Sequence, residues 1–368
     1  MTSDWITIKA ADFIDFNPRL SLKKGSVATK VAMDKLQPFT KKIPATEKAE
    51  FSGGAKFCNG DTIMARITPC LENGKTAFVD VLEDGEVGFG STEFIVLRAK
   101  EGISDPQFIY YLATSPWFRN VAIKSMVGSS GRQRVQQGVL DELELTVPLL
   151  PEQQKIGAFL AMFDEKIALN NKINDNLQQQ AQAIYTSMFV SNADPDWAKG
   201  HLSDLITVKY GKDHKKLGDG TYPVFGSGGI MRYVERPLYT AESVLIPRKG
   251  TLNNVMYVNE PFWSVDTMFF TEMKIPNVAK FVFHFVKAKD LASMNAGSAV
   301  PSMTTDILNA LELAIPSAEC LAEFESLVAP MYQAMQANNR ESAKLAELRD
   351  TLLPKLISDE IDVSSIQV

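Results

Sequence analysis

Residues 143–171, "LELTVPLLPEQQKIGAFLAMFDEKIALNN", run from an apolar, strand-like segment past proline into a helix, then place two asparagines where the apolar stripe should continue. The same punctuation returns at 311–339 as "LELAIPSAECLAEFESLVAPMYQAMQANN". Leu143, Glu144, Leu145 and Pro148 match Leu311, Glu312, Leu313 and Pro316, and Asn170, Asn171 and Leu177 match Asn338, Asn339 and Leu345, all at one offset of 168 residues. A register kept without a gap over that length marks an internal repeat.

The apolar positions give the repeat its form. Leu160, Phe163, Ile167, Leu177, Ala181, Ile184 and Met188 recur at steps of three and four, as do Val328, Met331, Met335, Leu345, Leu352 and Leu356. This spacing predicts two long amphipathic helices with a coiled-coil seam. Polar residues interrupt each seam midway: Asn170 and Asn174 in the first, Asn338 and Ser342 in the second. An amide buried against carbon costs roughly 1 to 3 kcal/mol, so these positions should face one another and set the register. Antiparallel pairing brings Asn174 to Asn338 and Asn170 to Ser342, but parallel pairing matches polar positions too. Connectivity favours antiparallel: about 33 helical residues span roughly 50 Å, and only antiparallel helices let the segment between them fold as one compact domain.

The expected fold class is therefore α+β, with two mixed domains joined by two long antiparallel helices in a pseudo-two-fold repeat. The expected boundaries are 1–147 for the first domain, 148–195 for the central helix, 196–315 for the second domain and 316–368 for the C-terminal helix. "TAFVDVLEDGEVGFGSTEFIVLRA" and "SVLIPRKGTLNNVMYVNEPFWSVDTMFFTEMKI" alternate β-branched or aromatic residues with Gly, Asn and Asp turn signals, as strands do. "DPQFIYYLATSPWFRNVAIKSM" and "NVAKFVFHFVKAKDLASMNAG" look helical, and each precedes a Gly-Ser turn, "GSSGRQRV" or "GSAVPSMT".

Composition excludes several classes. No run approaches 18 apolar residues, and "MTSDWITIKAADF" lacks a signal-peptide layout, so a cytoplasmic protein without a membrane span is expected. Cys58, Cys70 and Cys320 are scattered and the three histidines isolated, so neither a disulfide frame nor a zinc site is written, and the thiols should be buried and structural. No Asn/Asp-Pro-Pro-Tyr/Phe methylation motif and no GxxxxGKS/T phosphate loop occur, so no cofactor and no catalysis are expected. "VFGSGGI" lacks the phosphate-binding lysine and reads as a turn; "FDEKIA" at 163–168 reads as solvated charge on a helix.

At this point the chain resembles the specificity subunits of Type I restriction-modification systems. The likeness covers nearly the whole chain and rests on "LTVPLLPEQQKIGAFL" (145–160), "ARITPCLENGKTAFV" (65–79), "TYPVFGSGGIMRYVE" (221–235) and "LIPRKGTLNNVMYV" (245–258). The second spacer departs from it, since "PSAECLAEFESLV" lacks Pro-Glu-Gln-Gln. The resemblance implies two target-recognition domains that each read half of a split sequence in double-stranded DNA. It further implies two methyltransferase subunits as partners and, in a full complex, two motor-nuclease subunits. Two other readings stay open: the recognition subunit of a related system whose methylation and cleavage share one chain, and a coiled-coil scaffold that binds no DNA.

A net charge of −6 argues against a DNA reader until it is divided. Residues 1–147 hold 18 basic and 18 acidic side chains and 196–315 hold 13 and 12, whereas 148–195 hold 3 and 5 and 316–368 hold 4 and 9. The acidity sits on the helices, and a neutral reader can still present a basic face. The candidate contacts are loop residues: Lys23, Lys24, Arg66, Lys75, Arg132 and Arg134 in the first domain, and Lys212, Lys215, Lys216, Arg232, Arg248, Lys249 and Asn253 in the second. Arg grips guanine and Asn grips adenine through two hydrogen bonds, while Lys more often holds phosphate. The helices would act as a ruler for the gap between half-sites, and the Gln-rich stretch 178–182 as a face for partner helices.

Overall fold

The computed structural model describes residues 5–129, 131–294 and 302–361. The chain divides into two compact units, Met1–Lys172 with Asn338–Val368, and Ile173–Ala337. Both long helices, α5 (Leu150–Thr186) and α9 (Ala318–Ile357), therefore contribute one part to each unit.

In the first unit, β1 (Trp5–Lys9) pairs antiparallel with β10 (Glu144–Pro148), the Leu-Glu-Leu-Thr-Val strand of the repeat. A four-stranded sheet has the order β2 (Ile14–Phe16), β9 (Phe94–Ala99), β6 (Thr62–Ala65), β7 (Thr76–Phe78). A second has the order β4 (Glu47–Glu50), β3 (Val27–Val31), β8 (Gly88–Gly90), β5 (Lys56–Phe57), with β3 and β8 parallel. The sequence "FIVL" in β9 is apolar throughout because both faces are covered. Phe94 and Val96 join one core with Ile63, Phe57 and Val31, and Ile95 and Leu97 join another with Met64 and Phe108. The two-residue period of a strand divides its side chains between them.

The short helices have readable starts. Asp105 and Ser115 each accept a hydrogen bond from the backbone three residues on and precede Pro106 and Pro116, opening α2 (Pro106–Thr114) and α3 (Pro116–Lys124). α1 (Ala10–Phe13) and α4 (Gln137–Asp141) are single turns. The Pro-Glu-Gln-Gln signature is explained by Gln153, which is 1% exposed. Its amide nitrogen donates to the Pro148 and Ile103 carbonyls, and its oxygen accepts from the Asp105 backbone, so one side chain joins the start of α5 to the start of α2. Gly157 follows one turn later; a Cβ there would lie 2.8 Å from Asp105 Oδ1 and 2.9 Å from Gln107 Cβ. The second helix lacks this device and begins on a Ser317 cap for the Cys320 backbone.

The second unit repeats the strand order. β11 (Lys199–His201) pairs with β19 (Glu312–Ala314), again a Leu-Glu-Leu segment. β12 (Ile206–Tyr210), β18 (Met268–Met273), β15 (Ser243–Pro247) and β16 (Met256–Val258) form the four-stranded sheet. β14 (Gly229–Val234), β13 (Tyr222–Gly226) and β17 (Trp263–Ser264) form the other, with β13 and β17 parallel. Central side chains divide here too: Val244, Ile246 and Phe269 face one core, Leu245, Met268 and Phe270 the other. α6 (Leu202–Leu205) and α8 (Thr305–Asn309) are short, and α7 (Ala279–Lys287) is buried along most of its length. The Gly-Ser turn expected at 297–304 lies largely outside the described residues.

Each unit completes its larger core with both long helices. Ile156, Leu160, Leu353 and Leu356 do so in the first, and Ala181, Tyr185, Leu321, Phe324, Val328, Tyr332 and Met335 in the second. Of the expected seam, Leu160, Asn170, Val328 and Met335 are buried; Phe163, Ile167, Asn174, Leu177, Ile184, Met331, Asn338, Ser342, Leu345 and Leu352 are half-buried. Tyr185, Tyr332 and Leu353, each one residue beyond a named position, lie deeper. In the first unit the Asn170 amide nitrogen donates to Glu341 (2.8 Å), Ser342 Oγ (3.2 Å) and the Asn338 carbonyl (3.4 Å). In the second unit Asn174 reaches the Met335 carbonyl at 3.5 Å.

Two buried polar clusters dock the globular parts on the helices. "FDEKIA" is not uniformly solvated: Asp164 is 5% exposed, accepts from Tyr111 Oη at 2.6 Å and pairs with Arg349 of α9. Burial opposes the Arg349 charge, but Asp164 and then Asp350 hold its guanidinium above the ordinary value. Lys41, 3% exposed, donates to Tyr111 Oη at 3.1 Å and to Gln107, and burial pushes its ammonium down to about 8. In the second unit His284 is fully buried, stacked on Tyr185 with ring centroids 5.3 Å apart. Its Nδ1 meets Gln182 Oε1 at 2.8 Å and its Nε2 meets Tyr332 Oη at 2.9 Å. Lys280 beside it bridges Glu242 and Glu325.

Removing one member of a buried pair strands the other. Arg349→Met should cost about 3 to 5 kcal/mol, and adding Asp164→Asn should recover part of that; a double-mutant cycle on urea midpoints showing no coupling would contradict the pairing. Burial, then the charge of Lys287, push the His284 ring down to about 4. The unfolded imidazole protonates near 6.5, so stability is present above that pH and falls as pH drops from about 6.5 to 4, by up to about 3 kcal/mol. His284→Phe should flatten this limb of the urea-midpoint profile, and an unchanged slope would contradict it.

Candidate nucleic-acid interface

One loop geometry occurs in both units and carries an arginine each time. The loop after β6 begins at Arg66, whose backbone nitrogen donates to the Glu93 carbonyl (2.9 Å) and whose carbonyl accepts from Val135 (2.8 Å). The loop after β15 begins at Arg248, whose backbone nitrogen donates to Thr267 (2.9 Å) and whose carbonyl accepts from Met303 (2.9 Å). The next residues match as well, with isolated bridges between Ile67 and Arg134 and between Lys249 and Ser302. Each arginine thus leaves a central strand at a point braced from both sides, which fixes where its side chain starts.

The electrostatics of the two loops differ. Arg134 makes a fork onto Glu93 with contacts of 2.6 to 3.1 Å, and Arg66 Nε lies 3.9 Å from the same carboxylate. The Arg134 hydrogen bonds hold the Glu93 carboxyl below its usual range. Arg132, exposed, lies two residues away on the same loop. In the second unit the place of Glu93 is taken by Thr267 and that of Arg134 by Ser302. Arg248 donates to the Asp266 carbonyl at 3.2 Å and lies over the Tyr210 ring at 5.4 Å, with Lys249 exposed beside it.

The remaining expected contacts fall into two groups. Lys23 and Lys24, ahead of β3, and Lys212, Lys215 and Lys216, between β12 and β13, are exposed. Lys75, Arg232 and Asn253 are tied into the fold. Lys75 Nζ donates to the Met33 carbonyl at 2.9 Å, and Arg232 donates to the Leu217 carbonyl and to Asp219. Asn253 donates to Asp290 and accepts from the Ala292 backbone. The Asn253 amide has both ends in use, so it reaches an adenine only by giving up those partners.

Two residues of this surface escaped the sequence reading. Glu93, in "STEF", organises Arg66 and Arg134 but has no sequence neighbour to announce it. Tyr210 precedes Gly211, where a Cβ would fall 2.0 Å from the Val265 carbonyl, so "YGK" does signal a backbone held tightly at this point. Among the described residues no His, Cys, Asp and Glu group is arranged for a metal ion, and no helix is long and apolar enough to cross a membrane. The three cysteines are free and half-buried rather than buried.

The model of the Type I restriction modification DNA specificity domain matches residues 49–179 and 195–320. The HindI specificity subunit of Haemophilus influenzae is 23% identical over 82% of this chain and 86% of its own. The EcoAI specificity subunit of Escherichia coli is 33% identical over 45% of this chain and 29% of its own. A crystal structure of the Type I restriction-modification S subunit from Mycoplasma genitalium shares the fold, at 18% identity and a TM-score of 0.57 over 96% of both chains. The two matched segments make up more than half of the chain, one for each braced arginine loop, and the chain belongs to the Type I restriction modification DNA specificity family.

Proposed function

We propose that this chain is the DNA sequence-specificity subunit of a Type I restriction-modification complex, with target-recognition domains at 1–147 and 196–315 that each read half of a bipartite duplex site. The observation that carries this reading is the recurrence of the braced arginine loop at Arg66 and Arg248 on the same strand order. Two sites built alike but lined differently suit two half-sites of different sequence. The chain supplies recognition and no catalysis; methylation comes from methyltransferase subunits, two per complex, and cleavage from motor-nuclease subunits where these are present. Such a complex works on DNA in the cytoplasm.

In this reading Arg66, Arg134 and Arg248 approach bases, and Lys23, Lys24, Lys212, Lys215, Lys216 and Lys249 hold phosphates. Glu93 keeps the planar Arg134 fork aimed until a guanine edge competes for it. With overall charge balanced in both domains, much of the phosphate affinity comes from the assembled partners. The long helices form an antiparallel coiled coil that sets the gap and gives the repeat its pseudo-two-fold relation. Support for that pairing is that contacts fall along one helix as they rise along the other: Asp164 meets Arg349 and Asn170 meets Ser342 in the first unit, and Tyr185 meets Phe324 in the second.

Arg248→Ala, in a complex with the methyltransferase, should lose about 1 to 3 kcal/mol of discrimination at one base pair of one half-site and leave the other half-site intact; Arg66→Ala should do the reverse. Methylation maps read both, and an equal loss over both half-sites would contradict the assignment. Lys249→Ala should instead weaken binding evenly and lower the salt slope by about one. Adding or removing whole turns within 160–188 should change the gap and keep the blocks, whereas altered blocks at an unchanged gap would sink the ruler.

A further inference from the structure

The hairpin of β13 and β14 carries an apolar ridge on its solvent side. Ile230 is 51% exposed, Met231 61% and Tyr233 50%, whereas Val224, Phe225 and Val234 on the same hairpin are buried. The cause is a register shift. Pairing passes from Val224 with Arg232 to Phe225 with Ile230, which leaves Met231 as an extra residue without a partner across the ladder. A bulge of this kind breaks strand alternation and re-aims side chains, so the neighbours Ile230 and Met231 both turn to solvent.

The ridge is flanked by loops that carry exposed lysines, with Asp219 paired to Arg232 beside them. The hairpin tip is joined to the Arg248 loop, since Asn254 donates to the Ser227 carbonyl at 2.8 Å and a Cβ on Gly250 would sit 2.8 Å from Ser227 Oγ. On the outer strand, Arg232 donates to the Leu217 carbonyl and so holds the loop that carries Lys212, Lys215 and Lys216. An apolar ridge flanked by these lysines and by Arg248 and Lys249 complements a polyanion that also offers apolar groups. The DNA major groove is such a surface: it admits a two-stranded ribbon, and the C5-methyl of thymine projects into it. Insertion between base pairs would first have to unstack them, whereas contact with a methyl needs no such deformation.

We propose that Ile230 and Met231 read thymine methyl groups in the half-site bound by the second domain, an inference that rests on the DNA-recognition role proposed above. The tip glycines let the ribbon enter the groove, and the flanking cations hold the backbone while the ridge meets the bases. Apolar contact of this kind adds sequence information that no hydrogen bond from Arg248 supplies.

The test uses the complex with its methyltransferase and the target found by methylation mapping. Each thymine of that half-site is replaced in turn by deoxyuridine, which removes only the methyl group. One or two replacements should weaken wild-type binding about three- to tenfold. The double variant Ile230→Ala, Met231→Ala should bind the unmodified target more weakly by a similar factor and no longer distinguish thymine from deoxyuridine. Ile230→Val with Met231→Leu should retain the distinction. A half-site without thymine on either strand, a wild type indifferent to every replacement, or a double variant that still discriminates would overturn the proposal. So would a double variant that discriminates normally but assembles poorly with the methyltransferase, which would make the ridge a protein contact. Failure of the DNA-recognition role itself is seen earlier and separately, as a wild-type complex that binds no interrupted target.

Discussion

The central strands of each unit bury both faces, one of them beneath a short helix, α2 or α7, in a core that α5 and α9 complete. Ile95 and Leu97 in the first unit, and Val244, Ile246 and Phe269 in the second, point into cores closed on the far side by α5 and α9. Burying a large apolar side chain stabilises by about 1.5 to 3 kcal/mol, so a domain that lost its helix face would expose several such contributions. Each globular part is therefore packed against a portion of both helices within its own unit. The buried polar clusters refine this: Asp164 with Arg349 and Tyr111, and His284 with Gln182 and Tyr332, are satisfied at one helix register and stranded at others.

The same constraint explains why the repeat is strongest where the chain touches the helices and weakest where loops face outward. Leu-Glu-Leu strands pair with the first strand of each unit and lead directly into α5 and α9. The outward loops share a backbone path but not a lining. Glu93 draws two arginines together in one, while Arg248 stands over Tyr210 in the other. A frame repeated by packing and loops that differ in chemistry between the two units suit a pair of readers for unlike sequences.

Much of this was legible in the sequence because it depends on local periodicity. The two long helices, the strand runs and the offset of 168 all follow from spacing. What spacing hid was long-range pairing. Asp164 reads as a solvated helix charge because its partner lies 185 residues away. Tyr185 and Tyr332 lie deeper than Ile184 and Met331 because their hydroxyl-bearing rings reach into the domain, where Tyr332 finds His284. Gln153 stands in a motif whose purpose shows only in the fold, where it joins two helix starts. At the candidate interface composition alone did not separate the roles: Lys75, Arg232 and Asn253 share composition with the exposed cations but spend donors inside the fold.

The most direct test of the account is a genome-wide methylation map of the native host with this gene intact and deleted. Loss of a single interrupted motif, methylated on both strands and made of two short blocks around unspecified base pairs, is the predicted result. An unchanged map in a host whose methyltransferase partner is expressed and active would contradict the assignment of DNA specificity to this chain.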